Sequence, residues 1–249
     1  MKRVEGKVAI VTGGASGLGE ADAEALIAEG AHVIITDVND TLGARVAERI
    51  GATFIHHDVA SEADWEKVIA LAQDRFGKLD VLVNNAAITI PATPDRATLE
   101  DFRTVNRVNS EGVFLGCRFG LNAMMKNGGR GSIINLSSMA AVRGFPDFVS
   151  YSASKGAVRA LSLTVAAHCL RAGYPQIRCN TILPGATLTP QQQQAQKAMA
   201  ASQPATPPNP RLRVGQPADI AHLVVYLASD ESVQITGQEF IVDGGYSIL

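Results

Sequence analysis

Short apolar runs recur along this chain without polar alternation, and each is followed by a segment of helix length. The pattern predicts strands at Val8–Val11, His32–Thr36, Thr53–His56, Val81–Val83, Ser132–Leu136, Ile177–Ile182 and Glu239–Val242. It predicts helices at Ala21–Glu29, Thr41–Ile50, Glu62–Phe76, Leu99–Met125, Ser152–Leu170 and Ala218–Ala228. Gly30, Gly51 and Gly77 sit where three of these helices should close. Strands that do not alternate in polarity are buried on both faces. Helices between them supply the crossovers that parallel strands need. The expected fold is therefore α/β, a doubly wound parallel sheet flanked by helices on both faces.

The chain has 249 residues, 46 % apolar and 18 % charged, which excludes a disordered segment and suits one large domain over 1–249. A net charge of −2 gives no electrostatic footprint for nucleic acid or an anionic membrane surface. No run of about 18 apolar residues is present. The start of the chain runs into the first strand without a secretory signal, so a soluble cytoplasmic protein is expected. Cys117, Cys169 and Cys179 are odd in number and lack metal-ligand spacing, which reads as buried thiols in a reducing compartment. No metal site is expected, and His56 and His57 have no ligand cluster beside them. The stretch 190–213 is rich in Gln, Ala and Pro; a long segment of this kind reads as a lid over a substrate site.

The first strand is followed by TGGASGLG, Thr12–Gly19, which opens a helix. Glycines let backbone approach an anion closely, and a helix start offers unpaired N–H groups to it. The spacing is Gly13-x3-Gly17-x-Gly19, which differs from G-x-G-x-x-G but occupies the same place between strand and helix. This is a cradle for a dinucleotide pyrophosphate, and it makes the expected sheet Rossmann-type. Asp37 ends the second strand, where a carboxylate can bond both adenosine ribose hydroxyls and repel a 2′-phosphate. No basic residue follows it, so NAD is expected over NADP.

These residues, taken with others further on, resemble the short-chain dehydrogenase/reductase family over essentially the whole chain. The glycine turn fits TGxxxGxG, NNAAI (84–88) fits NNAG, NSEGVF carries Asn109, Ser138 lies 13 residues before Tyr151, and YSASK (151–155) fits YxxxK. PGATLTP (184–190) and ITGQEFIVDGG complete the series. The resemblance implies a cofactor site of Gly13, Ser16, Gly17, Leu18, Gly19, Asp37, Asp58, Val59, Asn85, Ala86, Tyr151, Lys155, Pro184, Gly185, Thr187 and Thr189. It implies a catalytic set of Asn109, Ser138, Tyr151 and Lys155, and packing as a homotetramer. Ala87 and Thr187 depart from the family pattern. HDVASEADW and GSIINLSS are similar to stretches of bacterial hydroxysteroid dehydrogenases of the family.

The residue types suit hydride chemistry. Tyr151 and Lys155 are i and i+4, so they share a helix face. A free phenol titrates near 10. A nearby ammonium and an oxidised nicotinamide would both favour phenolate; lowering by two or three units requires about 3–4 kcal/mol. Tyr151 is then the acid/base, Ser138 holds the substrate oxygen, Lys155 binds the nicotinamide ribose, and Asn109 by resemblance holds a relay water. Ala140, Val142, Phe145, Phe148 and Met199 predict an apolar pocket, hence a bulky, hydrophobic secondary alcohol or ketone such as a hydroxysteroid. A non-catalytic NAD-binding scaffold on the same fold is the alternative.

Overall fold

The computed structural model describes residues 2–190, 192–193 and 214–248. Seven strands form one parallel sheet: β1 (Val8–Thr12), β2 (His32–Asp37), β3 (Thr53–His56), β4 (Val81–Asn84), β5 (Arg130–Leu136), β6 (Gln176–Pro184) and β7 (Glu239–Val242). Their order is β3-β2-β1-β4-β5-β6-β7, each pair in parallel register. The order reverses direction between β1 and β4. In a doubly wound sheet that switch opens a crevice at the carboxyl ends of the strands, where ligands bind.

The helices are α1 (Gly17–Ala28), α2 (Asp40–Ile50), α3 (Glu62–Phe76), α4 (Leu99–Asn106), α5 (Gly112–Lys126), α6 (Val149–Arg171) and α7 (Pro217–Ala228). Successive strand residues point to opposite faces and so feed two separate cores. Ile10, Ile34, Leu82 and Ile133 pack with Trp65, Met124 and Val158 of α3, α5 and α6. Val11, Ile35, Val83 and Ile134 pack with Leu26 and Val224 of α1 and α7. Full burial of such side chains contributes about 1.5–3 kcal/mol each.

Local chemistry explains most boundaries. Asn39, Ser61 and Thr98 accept from the N–H groups of Leu42, Asp64 and Asp101, capping α2, α3 and α4. Gly51 and Gly77 close α2 and α3 in the left-handed conformation, as their positions in the sequence predict. α1 starts four residues before the expected Ala21, because glycine's poor helix propensity matters little in a first turn. The helix expected at Leu99–Met125 is not one α-helix: Arg107–Glu111 forms a π-turn between α4 and α5. α6 starts at Val149 rather than Ser152, which places Tyr151 in its first turn. The expected lid at 190–213 lies almost wholly outside the described residues. Among those described, no helix is long and apolar enough to cross a membrane.

Candidate active site

The glycine turn is built by close backbone packing. Gly13 has φ +66 and Gly17 φ +63, conformations that suit only glycine well. A Cβ on Gly13 would come within 2.8 Å of the Ala86 Cα. A Cβ on Gly19 would run into the Gly13 carbonyl and the Asn85 amide. The Thr12 hydroxyl accepts from the N–H groups of Asn85 (3.0 Å) and Ala86 (3.1 Å). The Asn85 amide donates back to the carbonyls of Thr12 (2.9 Å) and Gly13 (3.2 Å). The ends of β1 and β4 are thus tied together at the switch in strand order. Thr12 opens the glycine motif and is a brace that the sequence reading passed over.

Ser16 precedes α1 with extended backbone and makes no side-chain cap. The first-turn N–H groups of α1 therefore lack the side-chain partner that α2, α3 and α4 each have. Uncapped N–H groups beside positive-φ glycines fit a pyrophosphate. Gly17 lies under Thr189, since its Cβ would be 3.5 Å from the Thr189 Cβ. Leu18 is partly buried against the α1–α7 core.

Asp37 ends β2 with its carboxylate turned to the turn: Oδ2 accepts from Ala15 N (3.2 Å) and Oδ1 from Asn39 N (3.0 Å). Asp58 is held by Arg107 across 2.7 Å and accepts from Ala60 N. Val59 is buried against Gly112, and its carbonyl accepts from Trp65 Nε1 at 2.9 Å. On the other side of the crevice, Pro184 ends β6, and Gly185 N donates to Val242 O. Thr187 is buried, and its hydroxyl donates to the Gly185 carbonyl at 3.2 Å. The Thr189 hydroxyl accepts from Gln192 N.

The four residues of the expected catalytic set converge. Ser138 ends the β5 loop and caps a short 3₁₀ turn, Met139–Ala141. Its hydroxyl accepts from Ala140 N at 3.1 Å and lies near enough to Tyr151 to act on its phenol. Ser137, the serine just before it, is buried and donates to the Lys155 carbonyl at 2.8 Å, so its hydroxyl is already engaged. Lys155 is buried; its Nζ donates to the Leu136 carbonyl at 2.7 Å and lies 5.5 Å from the Tyr151 ring centroid. Asn109 sits in the π-turn and is fully buried. It bonds Ile88 in both directions (2.8 and 2.9 Å) and donates to Ser154 Oγ at 3.0 Å. Ser154 in turn donates to the Tyr151 carbonyl at 2.7 Å. Ser154 was not foreseen; it immediately precedes Lys155 in YSASK and carries the link from Asn109 to α6.

Electrostatics qualify the expectation for Tyr151. Burial pushes its phenol above the usual range, and the nearby Ser138 hydroxyl pulls the other way. Burial brings Lys155 down to about 8. The chain's own groups therefore do not supply the low phenol pKa expected from the sequence. Lys155 spends its nearest contact on a carbonyl, and the positive charge of a bound oxidised nicotinamide is what is left to favour phenolate.

Residues 13–247 match a family of short-chain dehydrogenases described as "Enoyl-(Acyl carrier protein) reductase". The chain belongs to the short-chain dehydrogenase/reductase family of oxidoreductases, whose members use a nicotinamide cofactor. It is similar to the NADP-dependent (R)-specific alcohol dehydrogenase of Lentilactobacillus kefiri, 42 % identical over 98 % of each chain. It is also similar to the 3-beta-hydroxysteroid dehydrogenase of Comamonas testosteroni, 43 % identical over 97 % of this chain and 96 % of that one. The solved structure of levodione reductase superposes with a TM-score of 0.89 at 33 % identity, covering 99 % of both chains.

Proposed function

We propose that this protein transfers hydride between NAD(H) and a bulky, hydrophobic secondary alcohol or ketone, with Tyr151 as the acid/base. The observation that carries the reading is the convergence of Ser138, Tyr151 and Lys155 beside a crevice whose glycine cradle a single added Cβ would fill. The cofactor, when bound, accepts or donates the hydride. Gly13, Gly17 and Gly19, with the α1 N–H groups, would hold its pyrophosphate. Asp58, Val59 and Asn85 would line the adenosine end, and Pro184, Gly185, Thr187 and Thr189 the nicotinamide end.

In oxidation Tyr151 Oη takes the hydroxyl proton of the alcohol; in reduction it returns one to the carbonyl oxygen. Ser138 donates to that oxygen and keeps it within reach of Tyr151. Lys155 holds positive charge beneath the phenol and offers its remaining N–H groups to the ribose. Asn109, through Ser154, fixes the first turn of α6. Stretches 88–94 and 139–149 supply the apolar walls, and hydroxysteroid dehydrogenases and an alcohol dehydrogenase among its relatives support that substrate class.

NAD rather than NADP is supported by Asp37, a carboxylate at the end of β2 bonded to the glycine turn, which would repel a 2′-phosphate. The NADP-dependent relative makes this the point to test first. Absorbance at 340 nm is followed with NAD and with NADP across a panel of cyclic and steroidal secondary alcohols. Higher kcat/KM with NADP would overturn the cofactor assignment. No turnover with either cofactor, alongside tight NAD binding by calorimetry, would favour the scaffold. A homotetramer is the proposed assembly, supported by exposed Phe102 and Phe114 on α4 and α5 and exposed Leu163 and Leu170 on α6. Light scattering giving a monomer would overturn it.

A further inference from the structure

The segment Met139–Phe148 joins Ser138 to the helix of Tyr151, so its position sets both ends of the proton-transfer pair. Its start is anchored by the 3₁₀ turn: Val142 and Arg143 N–H both donate to the Met139 carbonyl. Its end is bridged to the 88–94 stretch, with Ala92 N donating to Asp147 O at 2.8 Å and Val149 N to Ala92 O at 3.4 Å. Its middle is gripped from elsewhere. The Arg143 guanidinium lies 4.1 Å from the centroid of the Tyr246 ring, and Nη1 donates to the Tyr246 carbonyl at 2.6 Å. Phe145 stacks on the same ring, centroids 6.4 Å apart.

Tyr246 belongs to the chain's last turn, which is itself fastened. Asp243 accepts from the N–H groups of Gly245 (2.8 Å) and Ser247 (2.6 Å). A Cβ on Gly185 would come within 2.7 Å of Asp243, so the tail springs from the nicotinamide end of the crevice. The tail therefore spans from the cofactor end to the middle of the substrate wall. A cation over an aromatic face is worth about 0.5–2 kcal/mol. Arg143 and Tyr246 are 103 residues apart, and no helix or strand hydrogen bond imposes their contact.

We propose that Arg143 and Tyr246 form a latch by which the carboxy-terminal tail fixes the 139–148 segment, making Tyr246 a positioning residue that sets which secondary alcohols the site accepts. This rests on the reading of the crevice as an alcohol site. With the latch closed, the wall stays against small substrates. With it open, small alcohols lose their contacts, while a steroid carries enough surface of its own to hold the wall.

The test uses the full chain as Tyr246→Ala, Arg143→Ala and Tyr246→Phe. Steady-state kinetics with NAD use cyclohexanol and a 3-hydroxysteroid, beside hydrogen exchange of the 139–148 peptide and calorimetric NAD binding. Both alanine variants are expected to raise KM for cyclohexanol about 10-fold, with kcat and steroid KM within about threefold. Exchange in 139–148 should rise, and NAD affinity should not change. Tyr246→Phe keeps the ring and the carbonyl and should restore the wild-type KM. Unchanged KM with unchanged exchange overturns the latch. Equal loss for both alcohols, or weakened NAD binding, also overturns it, assigning the tail to general stability or to the cofactor. If the wild type turns over no alcohol, the substrate reading fails, and hydrogen exchange alone still decides the latch. Arg143→Ala covers the case in which Tyr246→Ala does not fold.

Discussion

The two rims of the crevice are built by different means. The cofactor rim, at the ends of β1, β2 and β4, is held by backbone: glycines without room for a Cβ, and Thr12 and Asn85 clamping neighbouring strands. The substrate rim is held by side chains reaching between stretches distant in sequence, such as Arg143 to Tyr246, and by one short bridge at Ala92 and Phe148. A backbone cradle recognises what every dinucleotide shares. A rim tied by a few side chains can change with little cost to the fold, which is the property a varied substrate range needs.

The largest expected effect lies where the rims meet. Tyr151→Phe should lower kcat about 10³-fold or more, with NAD affinity retained, because it removes the acid/base and leaves the cradle. Turnover near wild type would break the assignment. Next comes Gly19→Ala on the cofactor rim. Its Cβ must displace the Gly13 carbonyl, which is backbone, and the Asn85 amide, which is bonded to the Thr12 and Gly13 carbonyls. A cost of about 2–3 kcal/mol is expected, read as a roughly 30- to 100-fold rise in NAD Kd by calorimetry. An unchanged Kd would mean that the cradle is softer than its packing implies. The latch variants, at about 10-fold in KM, rank below both.

The same contrast decides what could be read from sequence. The seven strands, the glycine cradle and Tyr151–Lys155 are local: periodicity, glycine spacing and i,i+4 geometry carry them. The π-turn at Asn109 was not legible, because its cause is tertiary. Asn109 is fully buried, and bonding Ile88 and Ser154 at once compensates for the extra residue in the helix. Leu99–Met125 gives no local sign of it. Nor did spacing pair Asp58 with Arg107 or Arg143 with Tyr246, since contacts of that range depend on the fold already being in place. The low phenol pKa was expected from the Lys155 ammonium, read from the i,i+4 spacing, together with an oxidised nicotinamide. Burial, which the spacing does not encode, works against it.

One residue breaks the cofactor rim's economy and gives the smallest of the four tests. Asp22 lies on α1, one turn past the cradle, fully buried, with neither carboxylate oxygen bonded. Burial alone raises its pKa well above the carboxylate range. Its folded form therefore holds a proton that the unfolded chain releases near pH 4. The unfolded state then binds fewer protons, so stability falls as pH rises from about 4 up to the raised folded value. Asp22→Asn removes that slope; it should add about 1–2 kcal/mol at pH 7.5 and little at pH 4, measured by urea unfolding at both. The paired measurement separates a charge effect from a packing effect, because a packing gain would be equal at the two pH values. A loss at pH 7.5 would instead show that the carboxylate is stabilised where it lies.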